Sequence, residues 1–121
     1  METTQIAGHR VLLWPEDGQP LASGHDASDI IGDAFSTQAQ IVALPAARLS
    51  PDFLRLSTGL AGDVLQKFVN YGLRVAIVGD VSAAAATSAP LRDFIGESNR
   101  GRHVWFVPDL AALEAKIAEI A

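Results

Sequence analysis

Three short apolar runs constrain this chain more than any other feature: Ile41-Val42-Ala43-Leu44, Val75-Ala76-Ile77-Val78 and Val104-Trp105-Phe106-Val107. Each is too short for a core helix, is rich in β-branched or aromatic residues, and is stopped by Pro45, Gly79 or Pro108. Runs that are apolar at every position, not at alternate ones, belong to strands covered on both faces. Between them the hydrophobic period lengthens to that of a helix. Strands alternating with helices predict a mostly parallel central sheet with right-handed crossovers. The fold class expected is α/β.

The other elements are read around this frame. Arg10-Val11-Leu12-Leu13-Trp14 is an opening strand halted by Pro15. Glu16-Asp17-Gly18-Gln19-Pro20 is turn chemistry, and Leu21-Ala22-Ser23 is expected to return as the second strand of a hairpin. Residues 28–35 carry apolar side chains at helical spacing, with Asp26 or Ser28 as N-cap. Residues 60–71 form an amphipathic helix whose stripe is Leu60, Val64 and Phe68, with Ala61, Leu65 and Val69 beside it. Asp63, Gln66, Lys67 and Asn70 face the other way, and Gly72 ends the helix. Residues 81–89, with four consecutive alanines, read as a loop. Ser88 caps a helix over 91–99, Pro90 sits in its first turn, and Gly101 closes it. Pro108-Asp109 opens a last helix with the stripe Leu110, Leu113, Ile117 and Ile120. The predicted order is β-β-α-β-α-β-α-β-α, one domain over residues 1–121.

Composition narrows the function classes. Fourteen acidic against nine basic residues give a net charge of −5, and the closest approach to a basic cluster is Arg100-Gly101-Arg102-His103. Nucleic-acid affinity rests on phosphate contacts, so such a chain is not expected to bind nucleic acid. No apolar run reaches the roughly 18 residues of a membrane span. The residues Met1-Glu2-Thr3-Thr4-Gln5 have neither the basic nor the apolar region of a signal peptide. With no cysteine there is no disulfide, thiolate nucleophile or thiolate metal site. A cytoplasmic bacterial protein is the expectation, with no membrane contact.

Two resemblances build on particular residues. The blocks Gly59-Leu60-Ala61-Gly62-Asp63-Val64-Leu65-Gln66-Lys67-Phe68-Val69-Asn70-Tyr71, Ala76-Ile77-Val78-Gly79-Asp80 and Leu91-Arg92-Asp93-Phe94-Ile95-Gly96-Glu97-Ser98-Asn99-Arg100-Gly101 closely resemble an uncharacterised bacterial family, domain of unknown function 4180. That family has no established activity to transfer. The order of elements also resembles the sulfate transporter and anti-sigma-factor antagonist (STAS) domain. There the helix after the third strand starts with Asp-Ser-Ser/Thr-Gly-Leu, and a partner kinase phosphorylates a serine to switch partner binding. Ser57-Thr58-Gly59-Leu60 occupies the corresponding place, with Leu56 where that motif has aspartate. The resemblance implies a STAS-like α/β domain with a switch at Ser57.

The residues have their own reading at this turn. Unpaired backbone N–H groups and the helix dipole favour an anion at a helix N-terminus. A phosphate on Ser57 or Thr58 would bring up to about two negative charges to that spot. Alternatively Ser57 or Thr58 only caps the helix, and Gly59 permits close packing.

A second candidate surface comprises Asp80, Arg92, Asn99 and Arg100. Asp80 follows a strand, at the edge where α/β domains bind ligands, and a turn or capping role is its competitor. Asn99 and Arg100 close a helix, where a structured C-cap competes with binding. Asp93 and Glu97, one helical turn apart, are a candidate acid/base or metal pair or else a solvated face. His9, His25 and His103 have no metal-ligand spacing, and no Gly-rich phosphate loop of the Walker or dinucleotide type occurs. Trp14, Trp105 and Phe106 are expected in the core or on a sheet face.

The sequence therefore predicts a non-catalytic regulatory or protein-interaction module, with no cofactor and no metal. Its docking surface centres on Ser57, Thr58 and Gly59, with Asp63, Lys67 and Asn70 along the exposed side of the helix. The partner is an unidentified protein, and the last helix is a further candidate for self-association. The alternative function is small-molecule or anion binding at the helix start near Ser57, drawing on Thr58, Asp80 and Arg100. A hydrolase using Asp80, Asp93 or Glu97 ranks last.

Overall fold

The computed structural model describes residues 2–120. It is an α/β fold: five strands form one sheet in the order β1-β2-β3-β4-β5, with five helices. The strands are β1 (Glu2–Ile6), β2 (His9–Leu13), β3 (Ile41–Pro45), β4 (Arg74–Val78) and β5 (Val104–Val107). The helices are α1 (Gly24–Ser36), α2 (Leu60–Asn70), α3 (Ser82–Ala86), α4 (Ala89–Arg100) and α5 (Leu110–Ile120). Two single 3-10 turns, Ala46–Arg48 and Leu56–Thr58, lie between β3 and α2.

The sheet is mixed, which corrects the mostly parallel sheet expected from the alternation of strands and helices. β1 runs antiparallel to β2, and the pairings β2–β3, β3–β4 and β4–β5 are parallel. The opening hairpin is also relocated. Its strands are β1 and β2, and its two-residue turn is Ala7-Gly8, with φ of +48° and +84°. Two positive φ angles match the right-handed twist of the flanking strands. The expected return strand at Leu21-Ala22-Ser23 is reduced to one bridge between Leu21 and Leu49. The Asp17-Gly18 turn belongs instead to a loop gathered around the Arg48 side chain.

The parallel part follows from handedness. Each crossover from β2 to β5 steps one strand in the same direction, so right-handed connections place α1, α2 and α4 on one face, here the front. Leu12, Val42, Leu44, Val75, Ile77 and Phe106 point into that layer. The helix α5 folds over the back, where Leu113 and Ile117 are buried against Val11, Ile41, Ala43, Ala76 and Trp105. That stripe is spent on the sheet, and Leu110 at its start is 45 % exposed. Phe53, Phe68 and Trp105 are fully or almost fully buried, and each such side chain contributes about 1.5–3 kcal/mol on removal from water.

Helix boundaries show where local chemistry wins. The helix α1 begins at Gly24, earlier than expected, because Ser23 is its N-cap and accepts a bond from the Asp26 N–H at 3.3 Å. The Asp26 carboxylate meanwhile accepts from the Ala22 N–H at 2.9 Å. The four alanines expected in a loop form α3, as the high helix propensity of alanine favours. Ser88 caps α4 at the Leu91 N–H with Pro90 in the first turn, and Asp109 accepts from the Ala112 N–H at 2.8 Å. Both agree with the sequence.

Candidate functional site

The turn before α2 is held from within. The Thr58 hydroxyl lies 2.8 Å from both the Asp52 and Arg55 carbonyls and accepts from the Leu60 N–H at 3.3 Å. Gly59 follows with φ +77°, and nothing lies within 4 Å of where its Cβ would stand. The glycine serves the left-handed backbone and not close packing, which corrects that part of the capping account. Thr58 is the residue that ties the turn together.

Ser57 has a different environment. It is exposed, in the 3-10 turn, and it lines a groove of about 560 Å³. One wall is the segment from Pro51 to Ser57, including Leu54 and Leu56; the other is Ala84, Thr87, Ser88 and Pro90 of α3 and α4. Apolar side chains make up much of the groove's lining, with hydroxyl groups of Ser57, Thr87 and Ser88 among them. Arg55 at its rim lies 3.6 Å from the Asp52 carboxylate, an exposed pair of small energetic weight.

The expected exposed row along α2 divides. Asp63 is exposed in the first turn, and Asn70 is exposed with its carbonyl accepting from the Gln66 amide at 2.9 Å. Lys67 does not belong to a free surface. Its Nζ donates to the Gly24 carbonyl at 3.1 Å and to the Ser28 hydroxyl at 2.6 Å, tying α2 to the first turn of α1. Helical spacing placed Lys67 opposite the stripe, but α1 occupies that flank.

The second candidate surface is also divided. Parallel strands put the loops after β2, β3 and β4 at one edge of the sheet and the end of α4 at the other. Asp80 stands at the carboxyl edge, where its Oδ1 accepts from the Ser82 N–H at 2.8 Å. The Ser82 hydroxyl and that N–H hold its carboxyl below the ordinary carboxylate pKa. Arg92 donates to the Ala85 and Ala86 carbonyls at 2.7 and 3.2 Å and so closes the C-terminus of α3. Asn99 and Arg100 lie at the far edge. The anion set of Ser57, Thr58, Asp80 and Arg100 does not converge.

Asn99 has a defined structural task. Its Oδ1 accepts from the Phe106 N–H at 2.7 Å and its Nδ2 donates to the Phe106 carbonyl at 3.1 Å. The Asn99 backbone carbonyl accepts from Lys116 Nζ at 2.7 Å, and the Gly101 carbonyl accepts from the Trp105 indole at 3.0 Å. The polar string Ser98-Asn99-Arg100-Gly101 is thus built into the junction of α4, β5 and α5. Asp93 and Glu97 are exposed on α4. Among the described residues no group of three or more potential metal ligands comes together, and no helix is long and apolar enough to cross a membrane.

Sequence reasoning assigned Trp14 to the core or a sheet face, where it is partly buried, and passed over Arg48. The Arg48 guanidinium donates to the carbonyls of Pro15, Asp17 and Gln19 at 2.8–3.0 Å and lies 6.0 Å from the Trp14 ring centroid. Together they line a cavity of about 190 Å³ with Asp26 and Asp29 at the carboxyl edge. The readable signal was a tryptophan just before a strand-ending proline, at the edge where α/β domains build sites.

No curated protein and no solved structure matches the chain. The family model described as Domain of unknown function (DUF4180) matches residues 6–117, almost the entire fold, and the chain belongs to that family.

Proposed function

We propose that this protein is a non-catalytic regulatory module that docks a partner protein in the groove beside Ser57. The observation that carries the reading is the contrast within one turn. Thr58 and Gly59 hold the backbone, whereas the neighbouring Ser57 is exposed on the wall of a groove. A hydroxyl released from capping in a concave, partly apolar surface is suited to contact a partner. A charge placed there would alter the docking of an apolar segment.

The STAS-like description belongs to the same proposal. It rests on the element order, two strands and then strand–helix alternation, into which α3 inserts one short helix. A cytoplasmic bacterial setting is likewise part of this reading. Asp63 extends the surface along α2, while Lys67 supports it from behind by fastening α2 to α1.

Site-specific photocrosslinking in cells tests the proposal. A photoreactive residue at Ser57 or Thr87 should capture one discrete protein that the same residue at Arg100 does not. Ser57→Asp should reduce capture from Thr87. Equal capture from Arg100, or capture from Thr87 unmoved by Ser57→Asp, contradicts docking in this groove.

A further inference from the structure

We propose that the carboxyl edge of the sheet's back face binds a small amphipathic amine, with an apolar tail on the sheet and an ammonium group between Glu16 and Asp80. This is a different place from the Ser57 groove.

The site is two adjoining hollows. An apolar cavity of about 200 Å³ is floored by Leu13, Ala43 and Val78 and flanked by Leu110. A cleft of about 390 Å³ opens beside it, with Ala46, Gly79 and Asp80 on its walls. Glu16, Pro45 and Val78 line both, so the two are continuous.

The cleft depends on one glycine. Gly79 has φ +144°, and a Cβ there would stand 2.7 Å from the Ala46 side chain. Only glycine lets the loop after β4 come this close to the loop after β3.

Charge selects the ligand. Among the described residues, the ionisable side chains lining the two hollows are Glu16 and Asp80, and both are acidic. The Asp80 Oδ1 accepts from the Ser82 N–H, and Ser82 lowers the pKa of this exposed carboxyl. Arg48 is turned into the loop carbonyls at residues 15–19, and Arg92 into the carbonyls of Ala85 and Ala86. An anion therefore meets repulsion at this mouth, and a cation meets two carboxylates. Apolar surface is also on offer: Leu110 is 45 % exposed while its stripe partners Leu113 and Ile117 are fully buried. A tail lying against Leu110, Leu13 and Val78 removes that surface from water. The position agrees with the general placement of ligands beyond the carboxyl ends of parallel strands.

Methyl NMR titration of the intact protein with n-butylammonium and n-hexylammonium, and with hexanoate and 1-hexanol as controls, tests the proposal. The Leu13, Val78 and Leu110 methyls should shift in a saturable way, and each added methylene should tighten binding by about fourfold. Hexanoate should bind at least about tenfold more weakly than hexylammonium. The double variant Glu16→Gln, Asp80→Asn keeps the acceptor for the Ser82 N–H, and it should bring hexylammonium to the affinity of hexanol. Three results would overturn the proposal: equal affinity for hexanoate, unchanged hexylammonium binding in the double variant, or no saturable shift up to about 10 mM.

Discussion

The Asn99 side-chain amide pairs with both backbone groups of Phe106, with N–H to Oδ1 at 2.7 Å and Nδ2 to carbonyl at 3.1 Å. One side chain thereby satisfies the outer edge of β5 at its centre, as a neighbouring strand would. An edge strand otherwise presents unpaired groups that invite association. Asn99→Ala should cost about 1–3 kcal/mol, the range for leaving part-buried polar groups unpaired. Urea unfolding should show a lower midpoint with unchanged slope. An exposed binding residue would leave the midpoint in place.

Lys67 and Ser28 form the tie between α2 and α1, at 2.6 Å. Lys67→Met should destabilise by about 1 kcal/mol, because the methylene packing is kept and the charge-assisted bond is lost. A double-mutant cycle with Ser28→Ala should give a coupling of about 0.5 kcal/mol or more. Strict additivity would mean that the contact contributes nothing.

Two glycines one turn apart, Gly59 just before α2 and Gly62 inside it, should respond in opposite directions. Gly59 has φ +77°, so Gly59→Ala should cost about 1–2 kcal/mol. Gly62 is an exposed helix position with open space around its Cβ, and Gly62→Ala should stabilise by about 0.5–1 kcal/mol. Thermal unfolding of both variants checks the pair.

The bond from the Ser82 N–H to Asp80 gives the start of α3 a pH dependence of defined sign. The folded pKa of Asp80 lies below the ordinary value, so its contribution is fully present above the ordinary carboxylate range. It fades as pH falls through the folded pKa. Amide protection factors in residues 82–86, which remove the intrinsic pH dependence of exchange, should therefore fall toward low pH in the natural chain. Asp80→Asn keeps the acceptor and should flatten that response.

What the sequence disclosed follows from where residues get their stability. β3, β4 and β5 were legible because they are buried on both faces and are apolar throughout. β1 was not, since Glu2, Thr3, Thr4 and Gln5 are all exposed and the strand exists through its pairing with β2. The Asp17-Gly18 dipeptide carried the stronger hairpin signal, yet Arg48, some thirty residues away, gathers that loop around its guanidinium. At the candidate site, Thr58 and Gly59 were recognisable as a turn before a helix. The division of labour between Thr58 and Ser57 was not, because it depends on the Asp52 and Arg55 carbonyls and on α3 facing the groove. Lys67 was misplaced for the same kind of reason: a helical wheel shows opposite faces but not which neighbour covers them.

The most direct test of the central claim is position-dependent photocrosslinking in cells. A photoreactive side chain at Ser57 or Thr87 should trap the same single protein, with no such product from Arg100 at the opposite edge of the sheet. Identical products from Ser57 and Arg100, or a Thr87 product unaffected by Ser57→Asp, would contradict a docking groove at this turn.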